Sequence, residues 1–133
     1  MISTRARHLL AEYHGCDCTT LNDVEKVRAL MRRAAEAAGA TVVAEVFHEY
    51  RPQGVTGVVV IEESHLSVHT WPECGYAAVD FYTCGESIPE RADAVLREGL
   101  SAEQAEVMIV DRGLDTLAVA RHDPRRDLKL AGE

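Results

Sequence analysis

Residues 62 to 71 hold an unusual density of side chains that could do chemistry. They read Glu-Glu-Ser-His-Leu-Ser-Val-His-Thr-Trp, and so combine two carboxylates, two serine hydroxyls, two imidazoles and the single tryptophan of the chain. The segment directly follows the most apolar run of the sequence, residues 55 to 61. Polar groups that are buried beside a core cost free energy unless they are hydrogen-bonded. Such a cluster therefore indicates a functional site. A second polar segment, residues 80 to 85, reads Asp-Phe-Tyr-Thr-Cys-Gly.

Two general roles can be considered for the first cluster. Ser64 with His65 or His69 could form a hydrolase nucleophile and its base, but no G-x-S-x-G elbow surrounds the serine. The four-residue spacing of His65 and His69 would suit zinc on a helix. The intervening residues favour a strand instead, on which the two imidazoles would lie about 13 Å apart. No metal site is therefore predicted.

Composition and cysteine spacing exclude several other classes. Cys16 and Cys18 are separated by one residue, and Cys74 and Cys84 lie ten positions apart, so a structural zinc site is not indicated. The formal net charge of −8 argues against a nucleic-acid partner. No apolar run approaches the ~20 residues of a membrane span, and the N-terminus lacks a signal-peptide pattern. We therefore expect a cytoplasmic protein with reduced cysteines and no membrane partner.

The elements that must position the polar cluster follow from the hydrophobic pattern. Apolar residues at three- and four-residue steps predict a helix that is capped by Asn22 or Asp23 and ends at Gly39. A second helix is predicted with Ser87 as its cap and Pro89 near its first turn. Strands are predicted from apolar, β-branched runs. They cover residues 8–13, 41–50, 55–61, 65–71, 76–83 and 105–110, and residues 114–120 are also compatible with a strand.

The order of these elements, β-α-β-β-β-β-α-β, defines the expected fold. Several strands follow one another through short turns, so the sheet should be largely antiparallel. The two helices can cover one face of that sheet. A chain of 133 residues fits one domain. We therefore predict an α+β fold over residues 1–133, a two-layer sandwich with two helices on one face and a flexible tail over about 122–133.

Five stretches of the sequence resemble one known family. Residues 54–73, GVTGVVVIEESHLSVHTWPE, look like the cleavage-site region of prokaryotic S-adenosylmethionine decarboxylase proenzymes, which depend on a pyruvoyl group. The other similar strings are GYAAVDFYTCG at 75–85, RHLLAE at 7–12, AGAT at 38–41 and FH at 47–48. Together they extend over residues 7–85, and the remainder matches only loosely.

The resemblance implies that the chain cuts itself at the Glu63–Ser64 bond. The products would be a β chain of residues 1–63 and an α chain of residues 64–133. Ser64 would become the pyruvoyl cofactor at the new N-terminus, where it replaces pyridoxal phosphate as the electron sink. The activity implied is decarboxylation of S-adenosylmethionine, which supplies aminopropyl groups for spermidine biosynthesis.

The resemblance also assigns roles to single residues. His69 would remove the α-proton of Ser64 during self-cleavage, a task that suits an imidazole. Thr56 stands where the family usually has Ser and would hydrogen-bond the ester intermediate. Cys84 would protonate the substrate carbon after carbon dioxide leaves, although a lone cysteine is more often a small buried hydrophobe.

Three further residues are implied in substrate binding. Tyr50 would stack on adenine, Glu73 would accept hydrogen bonds from the ribose hydroxyls, and Trp71 belongs either to the same wall or to the structural core. Cys74, Arg51 and the hydroxyl of Tyr50 depart from the family pattern. Arginine and ornithine therefore stay open as alternative substrates, and an inactive binding homologue stays open as a third hypothesis.

Assembly is the last implication of the resemblance. Related proenzymes pair as homodimers in which each active site is built across the interface. Ser64 and Cys84 of one protomer would then meet four residues of the other. These four are Tyr50, Thr56, His69 and Glu73.

Overall fold

The computed structural model describes residues 4–114 and 116–122 of the 133-residue chain. Its strands are β1 (Ala6–His14), β2 (Val42–Glu49), β3 (Val55–Ile61), β4 (Ser64–Trp71), β5 (Tyr76–Cys84), β6 (Gln104–Gly113) and β7 (Thr116–His122). Its helices are α1 (Cys18–Leu21), α2 (Val24–Ala37) and α3 (Pro89–Gly99), and a 3-10 helix spans Pro72–Cys74. The four-residue α1 and the 3-10 helix are too short to have been predicted from periodicity. Most of the predicted tail lies outside the described residues.

The strands form one seven-stranded sheet in the order β2-β3-β4-β5-β1-β6-β7, and every neighbouring pair is antiparallel. The N-terminal strand β1 lies inside the sheet, between β5 and β6. Leu9 pairs with Phe81 on one side and with Ile109 on the other. The predicted α+β class and the antiparallel sheet are therefore confirmed.

One face of the sheet forms the core against the helices. Along β1, Leu9, Ala11 and Tyr13 are buried and belong to the same apolar cluster as Leu30 and Leu96 of the two long helices. Strand residues alternate between faces, and the apolar residues on the helix side of β3, β4, β5 and β6 join this cluster. These burial patterns give a helix layer packed on one face of the sheet.

The opposite face is here called the open face, because none of the described helices packs on it. It carries apolar side chains that are substantially exposed in one chain: Leu10 is 39% exposed, Val60 43% and Met108 37%. Leu10 and Met108 are paired neighbours on β1 and β6, whereas β4 and β5 separate Val60 from them. Polar side chains from β1, β4 and β5 lie among these residues.

The helix starts agree with the sequence only in part. Of the two predicted caps, Asn22 and Asp23, it is Asp23 that caps α2 and accepts hydrogen bonds from the backbone N–H groups of Glu25 and Lys26. Ser87 is not the cap of α3, because Ile88 occupies that position and makes no side-chain cap bond. The hydroxyl of Ser87 is instead buried, without a hydrogen-bond partner among the described residues. None of the helices in the described part of the chain has the length and apolarity needed to span a membrane.

Candidate active site

The β3–β4 hairpin presents a strained residue at the predicted cleavage site. Ile61 pairs with Ser64, so Glu62 and Glu63 form a tight two-residue turn. Ser64 has a φ of +148°, a region that residues other than glycine rarely occupy. Such backbone strain costs about 1–3 kcal/mol and is concentrated at functional sites. The turn therefore holds the Glu63–Ser64 peptide in a high-energy geometry.

Two donors of Cys84 converge on the carbonyl oxygen of Glu63. The backbone N–H of Cys84 lies 3.0 Å from this oxygen and its Sγ lies 3.2 Å from it. A pair of donors aimed at one carbonyl oxygen polarises it and can hold the negative charge that develops when the carbon is attacked. Ser64 pairs with Thr83, the residue before Cys84, so Ser64 and Cys84 are diagonal neighbours in the sheet.

Thr41 anchors the same turn from outside the hairpin. Its backbone N–H donates to the Glu63 carboxylate at 3.1 Å, and its carbonyl accepts from the backbone N–H of Glu62 at 3.0 Å. The Glu63 side chain therefore fixes the turn, while the main-chain carbonyl of the same residue faces Cys84. The Glu63 carboxylate thus holds the residue before Ser64 in place.

A second group of predicted residues lies at the other end of the sheet. Thr56 of β3 and His69 of β4 are paired residues, and the Thr56 hydroxyl lies 3.0 Å from His69 Nδ1. The ring of Trp71 lies 6.4 Å from that of His69 and stacks on Tyr76 at 5.2 Å. Both Thr56 and His69 lie on the open face.

The proposed substrate-binding residues flank this second group. Tyr50 directly follows β2, and its backbone N–H donates to the Gly54 carbonyl at 2.8 Å, which closes the turn before β3. Its ring is 47% exposed and meets His48 edge-on. Glu73 is exposed on the 3-10 helix after β4, next to the exposed Cys74. An exposed ring and an exposed carboxylate are thus presented at the same sheet end.

One chain does not bring the two groups together. Ser64 begins β4 and His69 follows five residues later, which corresponds to about 17 Å of strand. Cys84 at the end of β5 stays with Ser64, whereas Thr56 stays with His69. The described residues of a single chain therefore present two half-sites, separated along the length of β4.

Between the half-sites lies a polar cluster that the sequence did not assign. His8, His65 and Asp80 come from β1, β4 and β5, and one ligand atom of each lies within 4.8 Å of the others. His65 therefore pairs with His8 and Asp80 rather than with His69. Asp80 stood out within the second polar segment, but its partnership with His8 depends on strand order, which no local pattern reveals.

Asp80 is the acceptor at the centre of this cluster. Ser67 donates to one carboxylate oxygen, and the other lies 2.6 Å from His8 Nε2 and 3.2 Å from His65 Nε2. Partial burial by itself would raise the pKa of Asp80, but the hydrogen bonds from Ser67, His8 and His65 outweigh it and lower that pKa. Asp80 is thus a carboxylate at neutral pH.

Comparison with known proteins gives a consistent result. The family model described as S-adenosylmethionine decarboxylase matches residues 7–113. The S-adenosylmethionine decarboxylase proenzyme of Pelotomaculum thermopropionicum is 54% identical over 109 residues, covering 81% of this chain and 86% of the relative. The proenzyme of Thermotoga maritima is 44% identical over 122 residues, covering 90% and 94%.

A solved structure is also similar. The crystal structure of the adenosylmethionine decarboxylase from Aquifex aeolicus superposes with a TM-score of 0.79 at 35% identity. The match covers 86% of this chain and 96% of that chain. Sequence and fold thus agree over nearly the same length.

Proposed function

The chain belongs to the S-adenosylmethionine decarboxylase family, and from this premise we propose that it is a proenzyme that cleaves itself between Glu63 and Ser64. The mature enzyme then decarboxylates S-adenosylmethionine, for spermidine biosynthesis. The observation that carries the proposal is the geometry of the hairpin: a strained Ser64 follows a carbonyl that receives two hydrogen bonds from Cys84. The products are a β chain of residues 1–63 and an α chain of residues 64–133.

Self-cleavage uses the strain and the two donors in its first step. The Ser64 hydroxyl oxygen attacks the carbonyl carbon of Glu63, and the Cys84 donors stabilise the oxyanion that forms. The C–N bond then breaks, the hydroxyl proton passes to the Ser64 nitrogen, and an ester links the two residues. Relief of the Ser64 backbone strain favours this direction.

The second step needs a base at the α-carbon of Ser64. Removal of that proton expels the Glu63 carboxylate as the leaving group, and hydrolysis of the remaining fragment releases ammonia and leaves a pyruvoyl group at residue 64. His69 is the proposed base. When the Thr56 hydroxyl accepts from Nδ1–H, Nε2 keeps the lone pair that a base requires.

The residues around position 64 fit a pyruvoyl group. When present, this group supplies a carbonyl that condenses with the substrate amine and accepts the electrons released with carbon dioxide. Cys84 follows Thr83, the β5 partner of residue 64, and its Sγ already reaches the Glu63 carbonyl, so its thiol can deliver the proton that the substrate carbon then needs. All four cysteines are free thiols in the structure, which supports a cytoplasmic location where Cys84 stays reduced.

A second copy of the chain would complete each site. Two open faces packed about a two-fold axis would carry the His69 end of one sheet to the Ser64 end of the other, twice per dimer. The exposed apolar side chains Leu10, Val60 and Met108 support burial of this face. We therefore propose a homodimer of processed αβ protomers with two shared active sites.

Substrate recognition is proposed for the group at the His69 end. The exposed ring of Tyr50 offers a surface for stacking on adenine, with its hydroxyl at the edge. The exposed carboxylate of Glu73 can accept from two adjacent ribose hydroxyls. Trp71, 43% exposed and stacked on Tyr76, forms the wall between His69 and Glu73.

The test is a mass and activity measurement on the purified chain. Intact-mass spectrometry should find two fragments that meet between residues 63 and 64, with the α fragment blocked at its N-terminus. Release of labelled carbon dioxide should be seen with S-adenosylmethionine and not with arginine or ornithine. An intact chain mass would indicate a non-processed homologue instead. Release only from arginine or ornithine would contradict the substrate.

A further inference from the structure

Asp80 gathers donors from three strands on the open face. Asp80 lies on β5. Its carboxylate is contacted by His8 of β1 and by His65 and Ser67 of β4. None of these residues has a task in the self-cleavage chemistry above. These four residues, here called the Asp80 hub, lie between the two half-sites. His65 is the direct neighbour of Ser64 in the chain.

The hydrogen-bond partners determine which ring nitrogen of each histidine carries the proton. Arg112 can only donate, and its guanidinium lies 3.2 Å from His8 Nδ1, so that nitrogen is an acceptor and the ring proton is on Nε2. An ionised carboxylate can only accept, so both His8 and His65 present Nε2–H to Asp80. A metal ion here would need both Nε2 lone pairs and would leave Nδ1–H facing Arg112. The cluster is therefore a hydrogen-bond hub.

Self-cleavage changes what holds residue 64 in place. Before cleavage the turn ties it covalently to β3, and afterwards it is the free end of β4. Its ladder contacts to Ile61 and Thr83 remain, but strand ends fray readily. The next side chain, His65, then provides the contact that ties this end to the strand carrying Cys84.

We propose that Asp80 is a positioning residue that, through His65, keeps residue 64 against Cys84 after cleavage. This inference rests on the proposed function. Asp80 and Cys84 lie on the same strand, four residues apart, so a bond from His65 to Asp80 fixes the start of β4 relative to the thiol. Tyr82 stacks on the His65 ring at 5.8 Å and carries the Arg112 guanidinium 4.6 Å from its own ring, which restricts His65 further.

The first measurement is turnover per pyruvoyl group in cleaved protein. Asp80→Ala removes the acceptor of the His65–Asp80 hydrogen bond, here called the tether, and His65→Ala removes its donor. Both variants should lower kcat about tenfold or more, while KM changes less than about threefold. The reason is that misplacing a reacting group by about 1 Å can lower the reaction rate up to about a hundredfold. His65→Gln, whose amide can donate from near the Nε2 position, should restore most of the loss.

His8→Ala is the matched control, because it removes a donor of the same Asp80 oxygen from a strand that does not carry residue 64. It should leave kcat within about threefold of wild type. The double variant His65→Ala with Asp80→Ala should lose no more than the worse single variant, because the two residues act through one contact.

The second measurement does not depend on activity. In cleaved protein, hydrogen–deuterium exchange at the start of β4 should become about tenfold faster with Asp80→Ala and with His65→Ala, but not with His8→Ala. If wild type fails to decarboxylate S-adenosylmethionine, the proposed function fails, and this exchange result still decides whether the tether exists.

Three results would overturn the inference. One is unchanged kcat in both Asp80→Ala and His65→Ala with unchanged exchange at β4. Another is an equal loss with His8→Ala, which would indicate general support of the sheet. The third is stoichiometric Zn²⁺ binding that disappears in all three variants, since a metal would displace the N–H donors on which the tether depends.

Discussion

The Sγ of Cys84 lies 3.2 Å from the carbonyl oxygen of Glu63, across the turn that joins β3 to β4. The backbone N–H of the same cysteine reaches the same oxygen at 3.0 Å. One residue thus offers a side-chain donor and a main-chain donor to the bond that is proposed to break. The two can be separated by substitution, because only the thiol is lost in an alanine variant.

Cys84→Ala should separate cleavage from turnover. The backbone N–H still polarises Glu63, so cleavage should continue, and because a thiol is a weak donor it should slow by less than the roughly 10²–10³-fold that losing a full oxyanion donor costs. Turnover per pyruvoyl group should fall about a hundredfold or more, as is typical of losing a general acid. Gel densitometry over time gives the first value and carbon dioxide release the second. A fully active Cys84→Ala enzyme would remove the thiol from the mechanism.

Ser64→Ala and Ser64→Gly should differ in stability although neither can cleave. Both lack the hydroxyl, but only glycine tolerates a φ of +148° without strain. We expect the glycine variant to be more stable by about 1 kcal/mol, after allowance for its greater unfolded-chain entropy. Urea denaturation monitored by circular dichroism measures this difference. Equal midpoints would argue against strain at the hairpin, and cleavage of either variant at residue 64 would refute the nucleophile.

Mixing two inactive variants should restore activity if the sites are shared. A dimer of one Cys84→Ala chain and one Glu73→Ala chain has one site with both lesions and one with neither. Activity should therefore recover toward half of the wild-type value per mixed dimer, after subunit exchange. Exchange is verified by native mass spectrometry on chains of different tag mass. Recovery that stays absent despite proven exchange would place each whole site within one chain.

Tyr76→Phe should flatten the alkaline stability curve. Burial and the hydrogen bond to the carboxylate of Glu12 raise the pKa of Tyr76 to about 12. The unfolded phenol releases its proton near pH 10 while the folded one retains it, so the stabilisation is complete below about pH 10 and is lost as pH rises through about 12. Denaturation midpoints measured from pH 9 to 12 should fall less steeply in the phenylalanine variant. Parallel curves for the two proteins would count against this contact.

Local patterns predicted the elements well where each element carries its own signal. The apolar face of α2 and the cap at Asp23 are properties of one segment, and both were correct. Ser87 failed as a cap because the chain turns one residue later, at Ile88, and the tertiary packing buries the serine hydroxyl. The sequence motif identified Ser64 as the cleavage site. The two hydrogen bonds from Cys84 could not be predicted without knowing that β4 pairs with β5.

The Asp80 hub was beyond local patterns for a different reason. His8 and Asp80 are 72 positions apart and meet only because β1 inserts beside β5. Strand order in a sheet is decided by which arrangement buries the most apolar surface, and that is a property of the whole chain. The separation of the two half-sites follows from β4 alone and could have been stated once its strand character was known.

The position of β1 between β5 and β6 affects both the folding of the protein and the reversibility of its thermal inactivation. After a cut at residue 63, β1, β2 and β3 belong to one fragment and β4 to β7 to the other, yet β1 still lies between β5 and β6. The fragments therefore remain interlocked through three strand junctions, β3–β4, β5–β1 and β1–β6. The uncut chain can assemble this sheet as a single molecule, whereas two separated fragments must find one another in solution, at a rate that depends on concentration. Folding thus has to precede cleavage, and thermal inactivation of the mature enzyme should be far harder to reverse than that of its precursor.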